Sequence, residues 1–161
     1  EAETRGAELS VQLTPVEHLN MVLSYSYLDT EIVEGQEWSK GLSFSGVPKH
    51  MFSMWNKYAL RNIEGPFRNL EVGLGLVYKS SAFVGSGFNQ KELGAGDVYW
   101  KTPNFVRFDA MLGYPFKFLG KDCRVQVNCR NLMERLNWTA DANLVPDGQG
   151  REFYGSFSVN F

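Results

Sequence analysis

The chain has 161 residues, 43% hydrophobic and 21% charged, with a net charge of -2 and its Lys and Arg scattered along the length. That scatter leaves no basic stripe, which excludes the electrostatic footprint of nucleic-acid binding. No stretch approaches the roughly eighteen consecutive apolar residues of a membrane-spanning helix, but a mean hydropathy of -0.27 does not exclude crossing by strands, of which only every second residue is apolar.

Residues 5–14 alternate Ala7, Leu9, Val11 and Leu13 against Glu8, Ser10 and Gln12, the period of two that gives a strand one apolar and one polar face. A tight connector at Pro15 leads to a second strand at 18–28, where Leu19, Met21, Leu23, Tyr25 and Tyr27 oppose Asn20, Ser24 and Ser26, with Val22 the one apolar residue on the polar side. A long polar connector, 29–46, precedes a third strand at 49–60. There Phe52, Met54 and Tyr58 share a face with Asn56, and Trp55 shares the other with Met51, Ser53 and Lys57. A turn at Gly65 and Pro66 opens the fourth strand, which sets Leu70, Val72, Leu74, Leu76 and Tyr78 against Glu71, Gly73, Gly75 and Lys79; glycines in the polar column leave room for a close neighbour.

The second long connector, 80–103, is rich in glycine and aromatics and too long for a structureless loop in a compact soluble domain. The fifth strand, 104–116, puts Val106, Phe108, Ala110, Leu112, Tyr114 and Phe116 opposite Arg107, Asp109 and Gly113. After a short turn at Leu119, Gly120 and Lys121, the sixth strand, 122–132, carries Arg124, Gln126, Asn128 and Arg130 on its polar side. A third long connector, 133–150, precedes the last strand, where Phe153, Gly155, Phe157, Val159 and Phe161 oppose Tyr154, Ser156, Ser158 and Asn160.

The connectors thus run short, long, short, long, short, long. This predicts an all-β, antiparallel transmembrane β-barrel, because consecutive strands return alternately to a side of short periplasmic turns and a side of long extracellular loops. The strand ending at Phe161 then runs to the short-turn side. On the apolar faces, Tyr25, Tyr27 and Tyr78 fall near the long loops and Tyr58, Tyr114, Phe116 and Phe161 near the short turns, which sketches two aromatic girdles. A soluble β-sandwich binding module alternates in the same way and is the rival fold.

The segments TRGAELSVQLTPVEHLNMVLSYSYLDTEI, GVPKHMFSMWNKY, LEVGLGLVY, FVRFDAMLGY, VQVNCRNLMER and GREFYGSFSVNF resemble, in that order, the C-terminal barrel of TonB-dependent siderophore receptors, and together they cover nearly all of the chain. The resemblance implies that residues 1–161 are the C-terminal portion, about seven strands, of a larger barrel of about 22 strands plugged by an N-terminal domain. The plug domain is absent from this chain. An odd set of seven strands leaves open edges, which hydrocarbon does not tolerate, and the opening EAETRGAELS has neither the basic start nor the apolar run of a signal peptide; both suit a fragment or a processed product.

The resemblance further implies the outer membrane of a Gram-negative bacterium, a ferric siderophore as transported ligand, and energy supplied by the TonB complex through the missing plug region. It also implies contact with outer-membrane lipid and recognition of Phe161 by the barrel-assembly machinery. A cobalamin or carbohydrate complex is the alternative substrate. Iron would arrive inside its chelate, so no cofactor and no protein metal ligand is expected, and no enzymatic chemistry.

For ligand contact the first candidates are Phe88, Tyr99 and Trp100, aromatics of the second long connector suited to a bulky chelate. Trp38, Phe44, Phe83, Asn137 and Trp138 lie on the long connectors as well. Glu8, Glu71, Lys79, Arg107, Asp109, Arg124 and Arg130 fall on the polar faces, free to solvate a lumen and to pair across strands or with a plug. His18 and His50 sit at opposite strand ends and cannot share a catalytic site. Glu31, Glu34 and Glu37 match no calcium-loop spacing. Cys123 and Cys129 lie about 20 Å apart on one strand, too far for a mutual disulfide.

Overall fold

The computed structural model describes residues 1–35, 40–84, 101–141, 143–147 and 150–160. Among them are nine strands: β1 (Ala2–Leu13), β2 (Leu19–Ile32), β3 (His50–Ala59), β4 (Glu71–Lys79), β5 (Phe105–Phe118), β6 (Lys121–Arg130), β7 (Asn137–Asp141), β8 (Asn143–Asp147) and β9 (Glu152–Asn160). Seven form one sheet in the order β1-β2-β3-β4-β5-β6-β9, and β7 and β8 form a separate hairpin. Every pairing is antiparallel. The sheet is therefore an up-and-down meander whose end strands, β1 and β9, are not paired with each other.

Register fixes the two faces, because partners across a ladder point the same way. One row runs Gln12, Val22, Trp55, Gly75, Asp109, and another runs Glu8, Ser26, Met51, Lys79, Phe105. On the opposite face run Val11, Leu23, Met54, Leu76, Phe108 and Leu9, Tyr25, Phe52, Tyr78, Val106. The alternation read from sequence is thus carried coherently across the sheet. The apolar face is uncovered: Leu9, Leu74, Leu112, Val127, Phe153 and Phe157 are each more than half exposed. No large side chain among the described residues is fully buried. A sheet with so much contiguous apolar surface and no layer packed on it requires an apolar medium.

The apolar band has edges. Above it on the same face, Glu3 faces Glu31 and Arg5 faces Asp29, while Lys49 pairs with Asp29 at 2.6 Å. Below it lies Lys121. From Val106 to Phe116, ten residue steps give about 33 Å along the strand, which at a tilt near 40° is about 25 Å of height, the thickness of the apolar band of outer-membrane barrels. Aromatic contacts mark both margins. His50 lies 5.2 Å from Tyr27 and 6.2 Å from Tyr25 between ring centres, and Phe116 lies 6.4 Å from both Tyr114 and Phe157.

The charged margin explains one difference from the sequence reading. β2 extends to Ile32 and pairs with Ala2, beyond the predicted end at 28, because backbone pairing continues where the outer face turns polar and the alternation vanishes. The β7–β8 hairpin was expected to be connector: NWTADANLVPD has no period of two, and Pro146 argues against a central strand, but a two-stranded ribbon consists of edges. At the opposite side, Leu119 (φ 50°) and Gly120 (φ 78°) form the two-residue turn with both central residues left-handed that matches strand twist.

On the polar face, the Trp55 indole of β3 lies across β4. A Cβ on Gly73 would come within 2.7 Å of Trp55 Cζ2, and one on Gly75 within 2.8 Å of Trp55 Cε3. The glycine column is there because an aromatic ring occupies the space. Gly75→Val is expected to cost about 1–3 kcal/mol by overpacking, read as an earlier urea midpoint of the intact barrel, whereas Gly155→Ala, with its nearest foreign atom at 3.7 Å, should be tolerated.

Candidate functional site in the barrel lumen

The polar face carries two groups of interacting side chains. In the lower half, Glu71 of β4 is the hub. Its Oε2 lies 2.5 Å from Arg124 Nη2 and its Oε1 lies 3.7 Å from Lys57 Nζ. Arg124 belongs to β6, so it reaches over β5 to make this pair, and it does so above Gly113. A Cβ there would lie 3.1 Å from Arg124 Nη2 and 3.3 Å from Glu71 Oε2. Arg124 Nη2 also donates to Gln126 Oε1 at 2.9 Å, and Gln126 Nε2 donates to Asn128 Oδ1 at 2.8 Å. Side chains of three strands, β3, β4 and β6, are thereby tied on the polar side, with β5 crossed between them.

In the upper half, at the long-connector end, Val77, Lys79, Phe105, Arg107, Arg130, Asn131, Arg135 and Asn137 line a cavity of about 100 Å³. A second groove of about 310 Å³ adjoins it through Val77 and Lys79 and is walled by Glu8, Ser10, Ser24, Ser26, Met51 and Ser53. Ser10, Ser24 and Ser53 face one another in register, with the first two hydroxyls 3.1 Å apart. Small hydroxyl side chains in a row leave both space and hydrogen-bonding capacity.

The cationic wall of the smaller cavity is held by a turn. Asn131, only 2% exposed and with φ 56°, donates its backbone N–H to Asp109 Oδ1 at 2.8 Å. Its side chain accepts from Arg135 N and donates to Arg135 O, both at 2.9 Å. Asp109 Oδ2 in turn takes Arg107, with Nη2 at 3.0 Å. One aspartate thus anchors the turn after β6 to β5 and orients Arg107, while Arg130 pairs more loosely with Glu152 at 3.7 Å.

Above the strands the described connectors are laced together. Phe44 N donates to Thr30 Oγ1 at 3.0 Å, Gly46 N to Phe83 O at 2.8 Å, and Ala82 N to Thr102 Oγ1 at 2.9 Å. Pro48 bridges to Ala82 and Phe83 to Lys101. At the rim, the hydrogen bond to Asp29 raises the pKa of the Lys49 ammonium above its ordinary 10.5 against the opposing effect of burial. A raised cation pKa means that the pair contributes fully below the ordinary lysine value and is lost as pH climbs through the raised one. Because the pair is exposed, Lys49→Met is expected to change stability at neutral pH by less than about 1 kcal/mol, with the difference shrinking as salt is added to the unfolding assay.

Residues 1–132 match the family model described as TonB dependent receptor-like, beta-barrel. The chain belongs to the TonB-dependent receptor family. It is 25% identical over 163 residues to the metal-pseudopaline receptor CntO of Pseudomonas aeruginosa, an alignment covering 100% of this chain and 21% of that protein. It is 32% identical over 136 residues to the ferrichrome outer membrane transporter/phage receptor of Escherichia coli, covering 84% of this chain and 16% of the other. Its fold matches the crystal structure of BauA, the ferric preacinetobactin receptor of Acinetobacter baumannii, with a TM-score of 0.76 at 21% identity, over 98% of this chain and 22% of that one. The chain spans about a fifth or less of the length of these curated relatives.

This is a piece of the wall of an outer-membrane β-barrel, with one apolar and one polar face; its family is one of receptors, not enzymes. The soluble sandwich is set aside, since seven of the nine described strands follow one another in a single sheet that matches the family's barrel.

Of the residues anticipated as ligand contacts, Phe88, Tyr99 and Trp100 lie outside the described residues, as do Trp38, Glu37 and Phe161. Phe44 and Phe83 sit in the laced connectors, and Asn137 and Trp138 begin β7. The anticipated lumen charges share the polar face, but their partners are only partly those suggested: Arg107 pairs with Asp109 on its own strand, Arg124 with Glu71, and Arg130 with Glu152. His18 and His50 are at opposite ends, with His50 Nδ1 2.9 Å from the Tyr25 hydroxyl. Cys123 and Cys129 are free. Sequence reading missed Asn131 and Arg135. It carried the sixth strand on to 132, and only the left-handed backbone at Asn131 ends it earlier and turns Arg135 back to the cavity.

Proposed function

We propose that this chain is part of an outer-membrane receptor that takes up a ferric siderophore, energised by the inner-membrane proton gradient through TonB and a plug domain encoded elsewhere in the whole protein. The observation that carries the reading is the pair of adjoining recesses on the polar face at the long-connector end, where serine hydroxyls and cationic side chains stand among apolar ones. Its larger part reaches the lower end of the volume usual for small-molecule sites. The names of the relatives support the same reading, since two are receptors for ferric or metal chelates and one is a ferrichrome transporter. In this account Phe88, Tyr99 and Trp100 of the second long connector contact the chelate, lipid covers the apolar face, and the barrel-assembly machinery recognises Phe161.

The test is uptake of radioactive iron presented as defined chelates by iron-starved cells with and without the gene. Loss of uptake of at least one ferric chelate on deletion, restoration by the intact gene, and arrest on collapse of the proton gradient are expected. Wild-type uptake of every ferric chelate in the deletion strain would contradict the proposal, and a selective loss of cobalamin or carbohydrate uptake would reassign the substrate.

A further inference from the structure

The smaller lumen cavity is more positive than the rest of the protein warrants. The chain as a whole carries a net charge of -2, yet Lys79, Arg107, Arg130 and Arg135 converge on one cavity. They come from three different strands and the turn clamped by Asn131. Two carboxylates answer them. Asp109 uses one oxygen on Arg107 and the other on the Asn131 N–H, so it has little left to neutralise a neighbour, and Glu152 stands 3.7 Å from Arg130. Among the described residues, neither Lys79 nor Arg135 has a carboxylate partner. Like charges gathered in a recess raise one another's energy unless an anion joins them, and guanidinium groups set at fixed angles suit a carboxylate or similar oxyanion.

Size narrows the occupant. A cavity of about 100 Å³ is well below the roughly 300–1,000 Å³ of sites that enclose a whole small molecule, so it suits an arm of a chelate and not its body. The body has the adjoining hydroxyl-lined groove of about 310 Å³, which shares Val77 and Lys79 with the cavity.

We infer that Lys79, Arg107, Arg130 and Arg135 form an anion-selective subsite that takes a pendant carboxylate, or a like oxyanion, of the metal chelate bound in the groove. The inference rests on the uptake reading and deepens it: the cargo is a net-anionic chelate, and a bare metal cation is repelled from this wall. The rival occupant is an acidic side chain of the plug, which would leave selectivity among chelates untouched.

The experiment measures binding to the purified intact receptor of a panel of ferric chelates graded in charge: citrate, a catecholate, a neutral trihydroxamate and a cationic trihydroxamate. Intrinsic fluorescence is followed at low and high salt. The anionic chelates are expected to bind tightest and to weaken with salt. Lys79→Gln combined with Arg135→Gln is expected to weaken them at least about tenfold, while Lys79→Arg retains them. Neutral chelates binding the unaltered receptor as tightly as anionic ones would overturn the inference alone, and so would an equal loss for every chelate in the variant, the result expected of a plug contact. If no chelate of any charge binds, the uptake reading falls and the subsite with it. Should the double variant fail to assemble a heat-modifiable barrel, Lys79→Gln and the salt dependence of the unaltered receptor decide the matter.

Discussion

Met54→Arg is expected to destabilise the barrel by about 2–4 kcal/mol, while Ser53→Arg, one residue away, changes stability by less than about 1 kcal/mol. Met54 lies in the row Leu23, Met54, Leu76, Phe108, midway between the aromatic margins, so a guanidinium there must sit at the bilayer midplane or distort the barrel to escape it. Ser53 faces Ser24 and Val77 on the lumen side, where water and neighbouring polar groups solvate a charge. The measurement is the urea midpoint of refolding into lipid vesicles, supported by assembly into the outer membrane of cells. Equal tolerance at both positions would refute the assignment of faces. Asn56 is the natural counterpart, a polar residue on the apolar face opposite Leu74 whose Oδ1 has no hydrogen-bond partner among the described residues; Asn56→Leu should be neutral or stabilising.

Glu71→Ala is the second large effect. Glu71 has a side chain only 12% exposed and stands between two cations. Its removal leaves Lys57 without its carboxylate and Arg124 with Gln126 as its remaining side-chain partner. Losing a charge-assisted contact of this kind costs about 1.5–3 kcal/mol, less than for a fully dry pair because the lumen is wet. Gly113→Leu should produce much of the same loss from a different strand by occupying the space through which Arg124 reaches Glu71. The measurement is a double-mutant cycle of Glu71→Ala with Arg124→Leu: strong non-additivity is expected, and simple additivity would show that the pair does not couple the strands.

The legibility of this chain follows from where its physics is local. The period of two survives wherever one face meets hydrocarbon, so the strands from Ala7 to Leu13 and from Val106 to Phe116 could be read directly, as could the rhythm of turns. Outside the band the rule fails for a physical reason: at Glu3, Arg5, Asp29 and Glu31 both faces meet water, pairing continues, and the sequence no longer reports it. Hairpin β7–β8 was invisible on the same grounds. Lumen charges were legible as a face and not as partners, because Arg124 meets Glu71 only through a vacancy at Gly113 on the strand between them, a relation of three strands that no single segment encodes. The cationic cavity depended on a left-handed turn at Asn131, a backbone detail beyond any hydrophobic pattern.

The central claim is that alternate residues of each sheet strand face lipid and lumen, and a spin-label scan of β3 tests it most directly. Labels are placed one at a time from His50 to Ala59 in the intact receptor with Cys123 and Cys129 replaced, in lipid vesicles. Collision with oxygen, which concentrates in hydrocarbon, is compared with collision with a water-soluble nickel chelate. The account predicts an oxygen-to-nickel ratio that oscillates with a period of two, high at Phe52, Met54, Asn56 and Tyr58 and low at Met51, Ser53, Trp55 and Lys57. A flat profile, or one of opposite phase, would contradict it.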